Sequence, residues 1–180
     1  MPKAMTKRFD FEYTPRVLYS KRPLRDSFLP HLNRAARALE FAFTENNRKN
    51  GLDITFDQFM LLVTVRENPS ATQQELAAHL SRERTAVTHA LSALVRAGLL
   101  EQHKSTQDAR RTIHVPTAKA LDIWERLGDS AWEVVTRGKG VVSEEDMTQC
   151  INTLVKIYCA YAPGQTVYRP REPKADERSE

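Results

Sequence analysis

The 180-residue chain has only two cysteines, Cys150 and Cys159. Two are too few for a disulfide scaffold, and they fit a reducing compartment. No CxxC and no Cys/His cluster with zinc-like spacing occurs, so neither a metal nor another cofactor is implied. No apolar run approaches the ~20 residues of a membrane-spanning helix. The basic N-terminus has no apolar stretch behind it, which argues against a secretory signal and predicts a cytoplasmic protein without a membrane partner. The six glycines form no phosphate-binding loop, and GxSxG, HExxH and paired carboxylates are missing. His79, His89, His103 and His114 are scattered. An enzyme is therefore not expected. Charge of one sign is also scarce: the net charge of +4 permits a nucleic-acid partner without showing one.

What is present is helical patterning. Hydrophobic residues make up 41% and charged residues 28%, the balance of a globular domain with a core. Residues 1–26 are a basic extension punctuated by Pro2, Pro15 and Pro23, which exclude one long helix. It is either a loosely docked arm or one that touches DNA phosphates or a partner subunit. Phe28, Leu32, Ala35, Leu39 and Ala42 recur at steps of four and three, predicting a helix over 27–50 that Asn50-Gly51 stops. Thr55-x-x-Gln58 and Thr72-x-x-Glu75 are capping boxes. The first opens a helix apolar nearly all round, expected to be buried and to end at Asn68-Pro69. The second opens a short helix with Leu76, Ala77 and Leu80, followed by a turn at Ser81, predicted to cap the next helix.

That next helix, about Glu83 to Ala97 with Gly98 as its stop, bears most on function. At about 100° per residue, Val87, Ala90, Leu91 and Leu94 share an inner face. Thr85, Thr88, His89, Ser92 and Arg96 fall on the opposite side, with Arg84 at the boundary and Arg82 just before the helix. Hydroxyl, imidazole and guanidinium groups on one face suit base edges and phosphates in a major groove. Strand-like runs at 99–103 and 112–115 predict a hairpin with a basic tip, Asp108-Ala109-Arg110-Arg111. A loop arginine can enter a minor groove, and Asp108 can pair with its guanidinium. Thr117 is predicted to cap a helix reaching about Arg137, broken by Gly138 and Gly140. Ser143 caps a last helix whose Met147, Cys150, Leu154, Ile157 and Tyr161 form an apolar seam. The tail, 163–180, is charged and expected to be disordered.

From about Gly51 to Thr117 the chain resembles the MarR family. The matching residues are Gln58, Glu75-Leu76-Ala77, Leu80-Ser81, Val87-Thr88, Leu94, Gly98-Leu99, and Asp108, Arg110 and Thr117 in the wing. His89 stands where arginine is common, Pro116 replaces a leucine and Ala120 a glycine. The resemblance implies a mainly α fold with a small β-hairpin wing, a winged helix-turn-helix over about 52–116 flanked by dimerisation helices at 27–50, 117–137 and 143–162. It implies a homodimeric regulator, in the commoner mode a repressor, binding a pseudo-palindrome in double-stranded DNA. Arg110 would enter the minor groove, Asp108 and Arg111 beside it would belong to the same DNA-binding set, and Thr72 and Gln73 would offer a helix N-terminus to a phosphate. It also implies release by a small aromatic or phenolic acid, with His31, Arg34 and Met60 as pocket candidates and Arg34 pairing a carboxylate. The family's other route is a redox switch, but no sequence feature near Cys150 or Cys159 lowers a thiol pKa. The competing readings are a winged-helix protein-interaction module and a non-specific architectural DNA-binding protein.

Overall fold

The computed structural model describes residues 28–162 except 106, 107 and 109. The expectations for 1–26, for 163–180 and for Ala109 lie outside the described residues. Helix α1 spans Phe28–Lys49, with Pro30 in its first turn, where a missing N–H costs no hydrogen bond. It ends in a Schellman turn: Gly51 takes φ +70°, Leu52 N–H donates to Asn47 O at 2.8 Å, and Gly51 N–H to Arg48 O at 3.2 Å. Helix α2, Phe56–Glu67, begins at the Thr55 capping box, with both reciprocal hydrogen bonds present. Leu61, Leu62, Thr64 and Val65 are buried, as a helix apolar on several faces requires when others surround it.

The short helix α3, Gln73–His79, starts at the Thr72 capping box, and α4 runs Arg84–Arg96. The turn between them differs from expectation. Ser81 does not cap α4; Glu83 occupies the cap position without a side-chain hydrogen bond. Ser81 instead takes a left-handed φ of 50°, which turns its hydroxyl to Tyr158 Oη at 3.3 Å. Helix α4 closes in a second Schellman turn, with Gly98 at φ +69° and Leu99 N–H donating to Leu94 O at 2.9 Å. Strands β1, Leu100–Lys104, and β2, Thr112–Pro116, pair antiparallel in the register Leu100↔Pro116 to Lys104↔Thr112.

Thr117 then caps α5, Ala118–Asp122, while its hydroxyl donates to Gly98 O at 2.7 Å, pinning the exit of the wing to the end of α4. The single helix expected up to Arg137 is two: at Ile123 (φ −95°, ψ −1°) the backbone flattens, the ladder is interrupted, and α6 resumes over Trp124–Thr136. Ser143 caps α7, Glu144–Tyr161, whose first turn carries Glu144, Glu145 and Asp146 where the helix dipole favours anions. No described helix is long and apolar enough to cross a membrane.

One cluster holds the fold together. It runs from Leu52 and Ile54 through Leu61, Leu76, Val87, Leu91 and Leu100 to Leu127, so α2 lies at the centre with α3, α4, the hairpin and α5 around it. Each fully buried leucine contributes about 1.5–3 kcal/mol. Arg66 of α2 stacks over Trp124 of α6, 4.2 Å from the ring centroid. Helix α1 joins by its C-terminal half only. Phe43 packs on Phe56 and Phe59, at ring separations of 5.6 and 4.8 Å. Asn46 Nδ2 donates to Ser130 Oγ at 3.0 Å and Glu133 Oε2 at 2.7 Å, and its Oδ1 accepts from Arg137 at 3.2 Å. The first half of α1 is largely exposed, and α7 has no buried residue.

Candidate nucleic-acid interface

Helix α4 is divided lengthwise as its period predicts. Val87, Leu91 and Leu94 are buried, which fixes the rotation of the helix about its axis. Arg84, Thr85, His89, Ser92 and Arg96 are exposed on the other side, and Thr88 is half-buried. The hydroxyls are already engaged: Thr88 Oγ donates to Arg84 O at 2.8 Å and Ser92 Oγ to Thr88 O at 2.9 Å. Each oxygen keeps lone pairs to offer outward. The Gln73 side-chain amide lies 3.4 Å from Thr88 Oγ, which places the start of α3 beside the middle of α4.

Arg82 is not a loose cation at the turn. It pairs with Asp57 in the first turn of α2 at 2.7 Å. The N-terminus of α3, expected to face a phosphate, holds a carboxylate of the chain itself. Glu75 Oε2 accepts from the Thr72 amide at 2.7 Å and the Thr72 hydroxyl at 2.9 Å. These bonds, the backbone one first, hold the Glu75 carboxyl below the usual range, with Arg111 adding to the effect.

At the wing tip, Asp108 acts on backbone. Its Oδ1 accepts from the Arg110 amide at 2.9 Å, and among the described residues no ion pair joins Asp108 to Arg110, contrary to the expected guanidinium pairing. The reason is local, because an aspartate two residues upstream reaches the amide as an Asx turn before it reaches a long side chain. Arg110 is exposed. Arg111 folds back onto Glu75 at 2.7 Å. At the root of the wing His114 is buried, with Nδ1 lacking a partner in the structure, and burial pushes its pKa down.

The residues expected to hold an effector lie on two helices. His31 and Arg34 are exposed near the start of α1, whereas Met60 is half-buried in α2 beside Phe59. At 1.5 Å per residue, His31 lies about 18 Å along α1 from Phe43, where α2 packs. Both cysteines are exposed, although Cys150 falls on the apolar seam of α7. The Glu75–Arg111, Asp57–Arg82, Gln73–Thr88 and Ser81–Tyr158 contacts were not foreseen. Thr72-x-x-Glu75 reveals a cap, but no local signal marks a partner 36 residues away.

Comparison with known proteins agrees with this geometry. Residues 54–112 match the MarR family. An uncharacterized HTH-type transcriptional regulator of Bacillus subtilis (strain 168), YybA, is 29% identical over 126 residues, covering 68% of this chain and 81% of that protein. Among solved structures, a putative MarR family transcriptional regulator from Listeria monocytogenes, complexed with 26mer DNA, is similar in fold. Its TM-score is 0.65 at 21% identity, covering 75% of this chain and 89% of that one. Bordetella bronchiseptica BpsR, whose DNA binding is described as regulated by 6-hydroxynicotinic acid, gives a TM-score of 0.68 at 15% identity, over 77% and 97% of the two chains. With the helix-turn-helix of α3 and α4 and the hairpin wing, residues 54–112 are a MarR-type winged helix-turn-helix segment, and the chain is similar in fold to transcriptional regulators of that family.

Proposed function

We propose that this regulator binds a pseudo-palindromic operator as a homodimer and represses transcription until a small aromatic acid releases it. The carrying observation is the division of α4, whose buried stripe aims Arg84, Thr85, Thr88, His89, Ser92 and Arg96 away from the core. These side chains enter the major groove. Because the protons of Thr88 and Ser92 are bonded to helix carbonyls, their oxygens accept there, which suits the amino groups of adenine or cytosine. Exposed Arg110 enters the flanking minor groove. The exposed apolar side chains of α7, Ile151, Leu154 and Tyr161 among them, support pairing with a second copy. A two-fold dimer then sets its reading helices roughly 34 Å apart. Arg34 on α1 is the candidate partner for an effector carboxylate, with His31 and Met60 as neighbours in a site completed on dimerisation. A ligand that binds better to a dimer spacing misfitting DNA shifts the population to it.

The test is fluorescence anisotropy on duplex DNA from the region upstream of the gene, against scrambled DNA of equal length, over a salt series. A preference of about a thousandfold at physiological salt is expected. Arg110→Ala is expected to cost roughly tenfold or more with folding intact. Equal, salt-dependent binding to both DNAs overturns operator recognition in favour of an architectural role. Adding aromatic acids to the bound state tests release in the same assay.

A further inference from the structure

The wing tip carries two adjacent arginines in different circumstances. Arg110 is exposed, and its recorded hydrogen bond is through its amide, to Asp108. Arg111 turns back to the body of the protein. Its Nη2 donates to both oxygens of Glu75, at 2.8 and 2.7 Å. The same carboxylate closes the cap of α3 through the amide and hydroxyl of Thr72. Thr72 is also bridged to Ile113 of β2, so wing and cap meet at backbone and side chain alike. One residue further on, Gln73 reaches Thr88 on α4. Glu75 is thus a junction of wing, α3 and, by one more contact, α4.

A two-stranded hairpin is marginal by itself, so contacts at its sides set its angle to the body. The side chains of Arg111 and Glu75 are 39% and 49% exposed, and an ion pair so open to water adds little to global stability. It can still select one wing orientation among several of similar energy. The pair also neutralises Arg111, removing it from the cations available to phosphates.

We propose that Glu75 is a positioning residue for DNA recognition: through Arg111 it sets the wing so that Arg110 reaches the minor groove while α4 occupies the major groove. Arg111 is a strut and not a phosphate contact. This inference rests on the operator-binding reading above.

The experiment compares Glu75→Gln, Arg111→Gln and the double variant. Glutamine keeps the capping box, because its amide oxygen still accepts from the Thr72 amide. Arg111→Gln leaves the cap untouched and carries the test if Glu75→Gln fails to fold. Both single variants are expected to lose roughly tenfold in operator affinity, and the double variant no more than either. Any change in salt slope is shared by the two single variants, since both act through the placement of Arg110. If Arg111→Gln alone weakens binding and lowers the salt slope by about one, while Glu75→Gln binds as well as wild type or tighter, Arg111 is a phosphate contact and the proposal is wrong. Unchanged affinity in both variants also overturns it. Amide hydrogen exchange of free protein separates this idea from the one beneath it: faster exchange in β1 and β2 of both variants supports the strut even if wild type binds no DNA, and unchanged exchange refutes it.

Discussion

Helices α4 and α7 carry apolar stripes of the same period and meet different fates. In α4, Val87, Leu91 and Leu94 are 3%, 1% and 1% exposed; in α7, Ile151 and Leu154 remain 48% and 37% exposed. The period therefore reports that a stripe exists and which residues compose it. It does not report what covers the stripe. For α4 the cover is α2 and α3 of the same chain; for α7 a second copy is proposed.

The strongest way to break this comparison is to truncate each stripe. Leu91→Ala is expected to cost about 2–5 kcal/mol in denaturant unfolding. Leu154→Ala at micromolar or lower concentration is expected to stay within about 0.5 kcal/mol of wild type. Its effect should appear as weaker self-association in sedimentation equilibrium. Equal losses from both would mean that α7 is buried within one protomer. Next in size is Asn46→Ala, which removes the buried amide linking α1 to Ser130, Glu133 and Arg137. About 1–3 kcal/mol should be lost, seen as a lower thermal midpoint. Thr72→Ala should cost about 1 kcal/mol through the cap of α3, and Thr55→Ala a similar amount through α2, both measurable by chemical denaturation.

The smallest expected signal is a pH dependence from His114. Burial lowers its folded pKa from the ordinary 6.5. The unfolded imidazole gains a proton first as pH falls, so the stability tied to this group is complete above about pH 6.5. It declines below that value until the folded group protonates too. His114→Leu should flatten this part of a stability-against-pH curve, and an unchanged curve would show that other groups produce it.

The sequence made some of these features legible because they are local. The caps at Thr55, Thr72, Thr117 and Ser143 depend on residues three apart, and the outward face of α4 depends on helical period alone. The Ile123 interruption lacked a proline or glycine to announce it. Serine before a helix usually caps it, whereas here the turn geometry sends the Ser81 hydroxyl 77 residues away to Tyr158. Arg111 read as one more cation for DNA because its counter-charge lies in α3, outside any local window. The positions of His31, Arg34 and Met60 relative to one another likewise depend on helix packing that no spacing encodes.

The Asn46–Ser130 bond also bears on the order of assembly. Phe43 finds Phe56 and Phe59 in the very next helix, but Asn46 must wait for a partner 84 residues downstream. During synthesis from the N-terminus, α1 emerges well before α6, and its polar lock closes only after α6 has been made. The helix-turn-helix and wing close over shorter separations, such as the 36 residues between Glu75 and Arg111. The contacts that set the reading surface can thus form while α1 still waits to be fastened.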